Sequence, residues 1–203
     1  MPSTEETKPL AVLLDIMETV VTEPFLEVMP RYFNMSAKEF LAEKDPRSWI
    51  EFEHGNITEE QYFASFFSDR RKIDGEGLKQ AMYDAYEWLP GMEQLLSKLK
   101  ESGFPLFALS NYSDWYLMID EKLKLSKYLN WDFVSCKTGH RKPDQEAYLG
   151  PTASLRLKPE QILFVDDRQV NIDGAQKVGL QSHLFTSSDA LETMLRNNNY
   201  LSE

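Results

Sequence analysis

Four places in the chain set carboxylates, a hydroxyl or a lysine just beyond a short apolar run. Asp15 closes the run LAVLLD, Ser110-Asn111 follows FPLFAL, and Asp166-Asp167 follows QILFV. Gly139-His140-Arg141-Lys142-Pro143-Asp144 comes just after DFVS. If each run is a strand of one parallel sheet, these residues meet at the C-terminal edge, where open α/β sheets collect ligands. Asp15, Asp166 and Asp167 would then crowd negative charge that is tolerable only around a cation. An all-oxygen ligand set selects a hard ion, and Mg²⁺ is the expected one. The ion and Lys142 could together neutralise the non-bridging oxygens of a phosphoryl group, and Ser110 could donate a hydrogen bond to it. Asp15 could attack phosphorus and form an aspartyl-phosphate that water later cleaves. Any one of these positions says little, since Asp is common where strands end. The four together, in this order, are specific.

The elements that must position them can be read from patterning. Residues 10–15, 104–109, 132–135, 161–165 and 181–185 have the length and continuity of strands buried on both faces. Helical periods separate the last four. MEQLLSKLKE places Leu95, Leu96 and Leu99 on one face and ends near Gly103, a candidate C′ residue. Residues 111–129 are amphipathic, and residues 171–178 end at Gly179. Strand and helix in alternation predict an α/β, Rossmann-like, mostly parallel sheet with helices on both faces.

Residues 23–88 interrupt that alternation. They hold helical stretches at 25–33, 36–44, 58–67 and 77–86 and no convincing strand. Ser36 with Glu39 forms a capping box, and Thr58 has acids behind it at Glu59 and Glu60. Pro24 and Pro90-Gly91 bracket the segment as hinges. The expectation is a small all-helical cap, residues 23–88, inserted into a core of residues 1–22 and 89–203.

Composition bounds the rest. The 203 residues suit one domain with an insertion, and 42% hydrophobic residues suffice for a core. A formal net charge of -11 repels nucleic acid and anionic membranes, so neither is an expected partner. Cys136 is the one cysteine, no apolar stretch reaches a membrane span, and the start is polar and acidic. The expected protein is soluble and intracellular: cytoplasmic, or in the plastid stroma if a transit peptide precedes it. It is expected to be a monomer or homodimer.

Asp15-Ile16-Met17-Glu18-Thr19-Val20, Leu109-Ser110-Asn111, Arg141-Lys142-Pro143-Asp144 and Phe164-Val165-Asp166-Asp167 resemble the four ordered motifs of the haloacid dehalogenase superfamily. The helical insert falls where that family carries its first type of cap. Residues 13–19 and 120–126 resemble a plant subgroup that hydrolyses flavin mononucleotide (FMN). The resemblance implies a Mg²⁺-dependent phosphatase acting on a small phosphorylated metabolite, with FMN as the named candidate. It implies Asp15 as nucleophile, Ser110 and Lys142 as phosphate binders, and Asp166 and Asp167 at the metal, with Asp167 the preferred direct ligand. Asn111 and Arg141 join the substrate-binding set, with Arg168 flanking it.

One position departs from the pattern. The family's phosphatases carry a second Asp two residues after the nucleophile, for proton transfer to the leaving oxygen and from water. Here that residue is Met17, which can do neither, although its backbone carbonyl could still be a ligand to Mg²⁺. Glu18, brought round by a tight turn, is the first candidate to replace it, and His140 the second. Otherwise the chain is a catalytically weak or silent phosphate-binding or regulatory protein. A dehalogenase is a further alternative, but it would leave Asp166-Asp167 unexplained. In the insert, Trp49, Phe52, Tyr62, Phe63, Phe66 and Phe67 could stack a flat ring, although aromatics at helical spacing are more often core.

Overall fold

A computed structural model describes residues 8–201. Strands β1 (Ala11–Leu14), β2 (Leu106–Ser110), β3 (Asn130–Val134), β4 (Ile162–Asp166) and β5 (Gln181–Leu184) form one parallel sheet in the order β3-β2-β1-β4-β5. All five runs read from the sequence are strands, with ends moved by at most two residues. β1 sits at the centre, paired with both β2 and β4. The chain winds outward through β2 and β3, then crosses β1 to β4. That reversal opens a crevice at the strand ends.

Side chains alternate across the sheet with a period of two. Val12, Leu14, Leu106, Ala108, Leu163 and Val165 pack into one core cluster, while Ala11, Leu13, Phe107, Leu109, Ile162 and Phe164 pack into the other. One expectation fails here. β5 is not buried on both faces: Gln181, Ser182 and His183 are half-buried and Leu184 is exposed, because β5 is an edge strand. The N-terminal half of β3, the opposite edge, also alternates between exposed and buried.

Five helices and no strand of the sheet lie between β1 and the next core helix: α1 (Phe25–Tyr32), α2 (Ala37–Glu43), α3 (Ser48–Glu53), α4 (Glu59–Ala64) and α5 (Gly75–Ala85). Ser36 caps α2 through the reciprocal bonds expected with Glu39. Thr58 caps α4, but its partner is Gln61 rather than the neighbouring acids. The cluster on this face of the sheet continues into the insert through Phe40, Phe52, Tyr62, Phe66 and Phe67, all at most 2% exposed. These aromatics are core, and Trp49 and Phe63 pack against them.

The remaining helices are α6 (Met92–Glu101), α7 (Tyr116–Leu123), α8 (Ser135–Thr138), α9 (Gln145–Leu155), α10 (Gln169–Lys177) and α11 (Ser188–Asn197). Gly103, with φ +84°, closes α6 as the C′ residue expected, and the Phe104 amide bonds the Leu99 carbonyl at 3.2 Å. Residues 111–115 are a loop rather than the first turn of a helix, so the amphipathic segment begins later than its pattern predicts. No helix among the described residues is long and apolar enough to cross a membrane.

Candidate active site

The central strand determines where Asp15 lies. Its amide bonds the Val165 carbonyl at 2.9 Å, which carries the β1–β4 ladder one residue past Leu14 and sets Asp15 beside Asp166. Lys142 arrives from the loop after β3. Its Nζ donates to Asp15 Oδ1 and to Asp166 Oδ2, both at 2.7 Å, with the ammonium, Asp15 and Asp166 all buried.

Asn111, at the end of β2, fixes the Lys142 backbone. Its Nδ2 donates to the Lys142 carbonyl and its Oδ1 accepts from the Lys142 amide, each at 2.8 Å. Asn111 also lines the cavity at the strand ends, but its amide group is occupied by this clasp. Ser110 is 2% exposed, and its buried Oγ has no hydrogen-bond partner among the described residues. A buried hydroxyl without a partner is costly unless something else fills the role.

The two adjacent aspartates have different surroundings. Asp166 is fully buried; besides Lys142, it accepts from the Arg168 amide at 2.8 Å and from Asn171 Nδ2 at 3.0 Å on both oxygens. Asp167 is half-buried and lines the cavity. One oxygen from each of Asp15, Asp166 and Asp167 lies within 4.8 Å of the others. Three carboxylates against one ammonium leave a formal charge of minus two when all are ionised, which is the complement of a divalent ion. The oxygen-only donor set and this charge fit Mg²⁺. Burial, outweighing the opposing pull of Lys142, pushes Asp15 up to about 7, with Asp166 and Asp167 adding to the rise. Burial and the Asp166 charge raise Asp167 as well. Burial disfavours the Lys142 ammonium, but Asp15 and Asp166 more than offset it and hold it above the usual lysine range.

After Asp15 the chain makes a tight turn. The amides of Glu18, Thr19, Val20 and Val21 bond the carbonyls of Ile16 or Val21, and Glu18 takes a φ of +55°. None of these bonds uses the Met17 carbonyl, and Met17 lines the cavity. The turn does bring Glu18 round to the cavity. There it is exposed, and its Oε1 accepts from the Glu23 amide at 2.7 Å. His140 is exposed and is not among the lining residues.

The cavity measures about 200 Å³. Two of its lining residues, Glu23 and Glu53, come from the insert and were not anticipated from the sequence. Glu53, at the end of α3, is 6% exposed; its Oε2 lies 2.6 Å from Arg141 Nη2 and its Oε1 accepts from Trp49 Nε1 at 2.6 Å. Burial pushes Glu53 up to about 7 against the pull of Arg141 and Trp49. Arg168 completes the rim, and no aromatic residue among those described lines the cavity. Glu23 stands directly before Pro24, a position the sequence marks as one end of the insert. Glu53 is brought there by the packing of α3 on the core.

Comparison with known proteins places the chain in a family. The chain is 44% identical over 179 residues to flavin mononucleotide hydrolase 1 of Arabidopsis thaliana, a chloroplast protein, spanning 88% of this chain and 73% of that one. It is 29% identical to the ribulose-1,5-bisphosphate 5-phosphatase of Halopiger xanaduensis, over 59% of this chain and 52% of that one. The fold matches a haloacid dehalogenase family enzyme of Bacteroides thetaiotaomicron, solved with magnesium and inorganic phosphate, at a TM-score of 0.69. The identity is 18%, over 88% of this chain and 95% of that one. The sequence profile of the haloacid dehalogenase-like hydrolases matches residues 10–179, and the chain belongs to that family.

Proposed function

We propose that the chain is a Mg²⁺-dependent phosphomonoesterase acting through an aspartyl-phosphate. The observation that carries this reading is the Asp15–Lys142–Asp166 bridge at the sheet edge, with the unpartnered Ser110 hydroxyl on the neighbouring strand. Asp15 attacks phosphorus in line, the bond to the ester oxygen breaks, and water then cleaves the acyl-phosphate. Lys142 and Ser110 bind the non-bridging oxygens. Asn111 positions Lys142 through its backbone, and Arg141 and Arg168 attract the anion at the rim. Asp15, Asp167 and the Met17 carbonyl would hold Mg²⁺, with Asp166 aligning Lys142 beside them. The ion, when bound, supplies positive charge for the phosphoryl oxygens.

The insert, residues 23–88, acts as a cap over a core of residues 1–22 and 89–203. FMN, the substrate named for the Arabidopsis relative, is the candidate small phosphorylated metabolite. The polar cavity takes its phosphate and sugar-alcohol arm, and the flat ring lies outside, because the aromatic residues of the insert are packed in the core. The same relative supports the plastid stroma as the compartment.

The test is release of phosphate from p-nitrophenyl phosphate and FMN by the purified protein with Mg²⁺. Chelation with EDTA and the substitution Asp15→Asn should each abolish it. Turnover that survives Asp15→Asn would refute the mechanism. A folded wild type inactive on both esters, yet binding phosphate, would establish the silent phosphate-binding alternative that Met17 favours.

A further inference from the structure

The site as described lacks a proton donor for the leaving oxygen, because Met17 stands where the acid would be. Among the described residues, five carboxylates line the cavity. Asp15 and Asp167 belong to the nucleophile and metal set. Glu53 is held on both oxygens, by Arg141 and by Trp49. Glu18 is exposed, and one of its oxygens is committed to the Glu23 amide. Glu23 is the remaining one. It is half-buried, and its Oε1 accepts from the Phe25 amide at 3.0 Å. It forms no ion pair with any described cation. Unlike Glu18, it sits past the turn, on the arm that the Val21–Trp88 bridge and the Thr22–Glu87 hydrogen bonds fasten to the end of the insert.

We propose that Glu23 transfers the proton in both halves of the reaction, in place of the Asp that Met17 replaces. This rests on the phosphomonoesterase reading above. In the first half the Asp15 oxygen bonds to phosphorus, the bond from phosphorus to the ester oxygen breaks, and the Glu23 carboxyl gives its proton to that oxygen. In the second half a water oxygen bonds to phosphorus, the bond to Asp15 breaks, and the water proton returns to the Glu23 carboxylate. The sum is ester plus water giving alcohol plus phosphate, with the protein unchanged. Burial, with the negative charges of Glu53, Glu18 and Asp15 behind it, pushes Glu23 up to about 7. A carboxyl in that range can give a proton and take one back at neutral pH. Glu18 then has a positioning role, holding the Glu23 backbone through the 2.7 Å bond.

The experiment separates the two halves by leaving group. p-Nitrophenolate departs without protonation, whereas the alkoxide from FMN does not. With Mg²⁺ and p-nitrophenyl phosphate, Glu23→Gln should release one equivalent of p-nitrophenolate per site in a burst. Steady turnover should then be slower than wild type by about 10²–10⁴-fold, with phosphorylated Asp15 recoverable after acid quench. With FMN the same variant should show slow turnover and no burst. Glu23→Ala, which opens space beside the site, should regain second-half rate when formate is added. Glu23→Gln and Glu23→Ala turning over both esters as fast as wild type would overturn the proposal. So would the burst appearing in Glu18→Gln while Glu23→Gln turns over normally. A wild type inactive on both esters would sink the phosphomonoesterase reading itself, an outcome that no Glu23 variant can mimic.

Discussion

The Glu53 carboxylate, at the end of α3, meets the Arg141 guanidinium, in the loop after β3, at 2.6 Å across the mouth of the cavity. The carboxyl is 6% exposed, and burial pushes it up to about 7 although Arg141 and Trp49 both favour its charged form. Its ordinary value in an unfolded chain is near 4.5. A carboxyl raised in the folded state stabilises the fold fully below pH 4.5, and that contribution is lost as pH rises through 7. In EDTA, the wild type and Glu53→Gln should therefore have similar denaturant midpoints at pH 5. Between pH 5 and pH 8 the wild type should lose about 2–3 kcal/mol more than the variant. Parallel pH profiles would show that Glu53 stays ionised throughout.

Lys142 carries a second prediction. Its ammonium is the buried cation between Asp15 and Asp166, and Asn171 and the Arg168 amide are the other donors holding Asp166. Lys142→Met keeps most of the side-chain volume and removes the charge, leaving buried carboxylates facing one another. Loss of one partner of a buried pair costs about 3–5 kcal/mol. The deficit should appear in urea unfolding of the metal-free protein and shrink when Mg²⁺ is added, since the ion replaces some of the missing positive charge.

How legible these features were in the sequence depends on how local their causes are. The strands were readable because continuous apolar runs such as LLD and ILFVDD have few other uses, and the site residues sit where those runs stop. The register that joins Asp15 to Asp166 follows from β1 lying between β2 and β4. The β5 run reads as buried because Leu180 and Phe185 flank it, and only its edge position explains the polar stretch between them. α3 is not legible in the pattern because SWIEFE makes under two turns, too short for its period to show. Glu53 enters the cavity only because α3 packs on α8, where Ser135 Oγ donates to the Glu53 carbonyl at 2.5 Å. No pattern along the chain encodes that contact.

Asp167 separates metal binding from phosphate binding. It is the half-buried member of the acidic trio, whereas Asp166 is saturated by internal donors. A ligand that binds only the folded state at a hundred times its dissociation constant adds about 2.7 kcal/mol of stability. Mg²⁺ should therefore raise the thermal midpoint of the wild type, and Asp167→Asn should abolish most of that rise while leaving the metal-free midpoint close to wild type. An undiminished rise in the variant would place the ion elsewhere.

Gly55 tests how the insert is docked. It follows α3 with φ +72°, and a Cβ there would run into the carbonyl oxygen of Cys136 in α8. That obstacle is backbone and cannot rotate away. Gly103 has a similar φ, +84°, but nothing lies within 4 Å of the Cβ it lacks. Gly103→Ala should therefore lose only the conformational term, about 1 kcal/mol. Gly55→Ala should lose that plus the clash, roughly 1–3 kcal/mol in total, with the difference measuring how firmly α3 is held on α8. Because Glu53 lies two residues before Gly55, the displaced helix end should also pull its carboxylate from Arg141. The KM for p-nitrophenyl phosphate should rise in Gly55→Ala and not in Gly103→Ala. Equal stability losses and unchanged KM in both variants would mean that α3 rides on the core without being pinned to it.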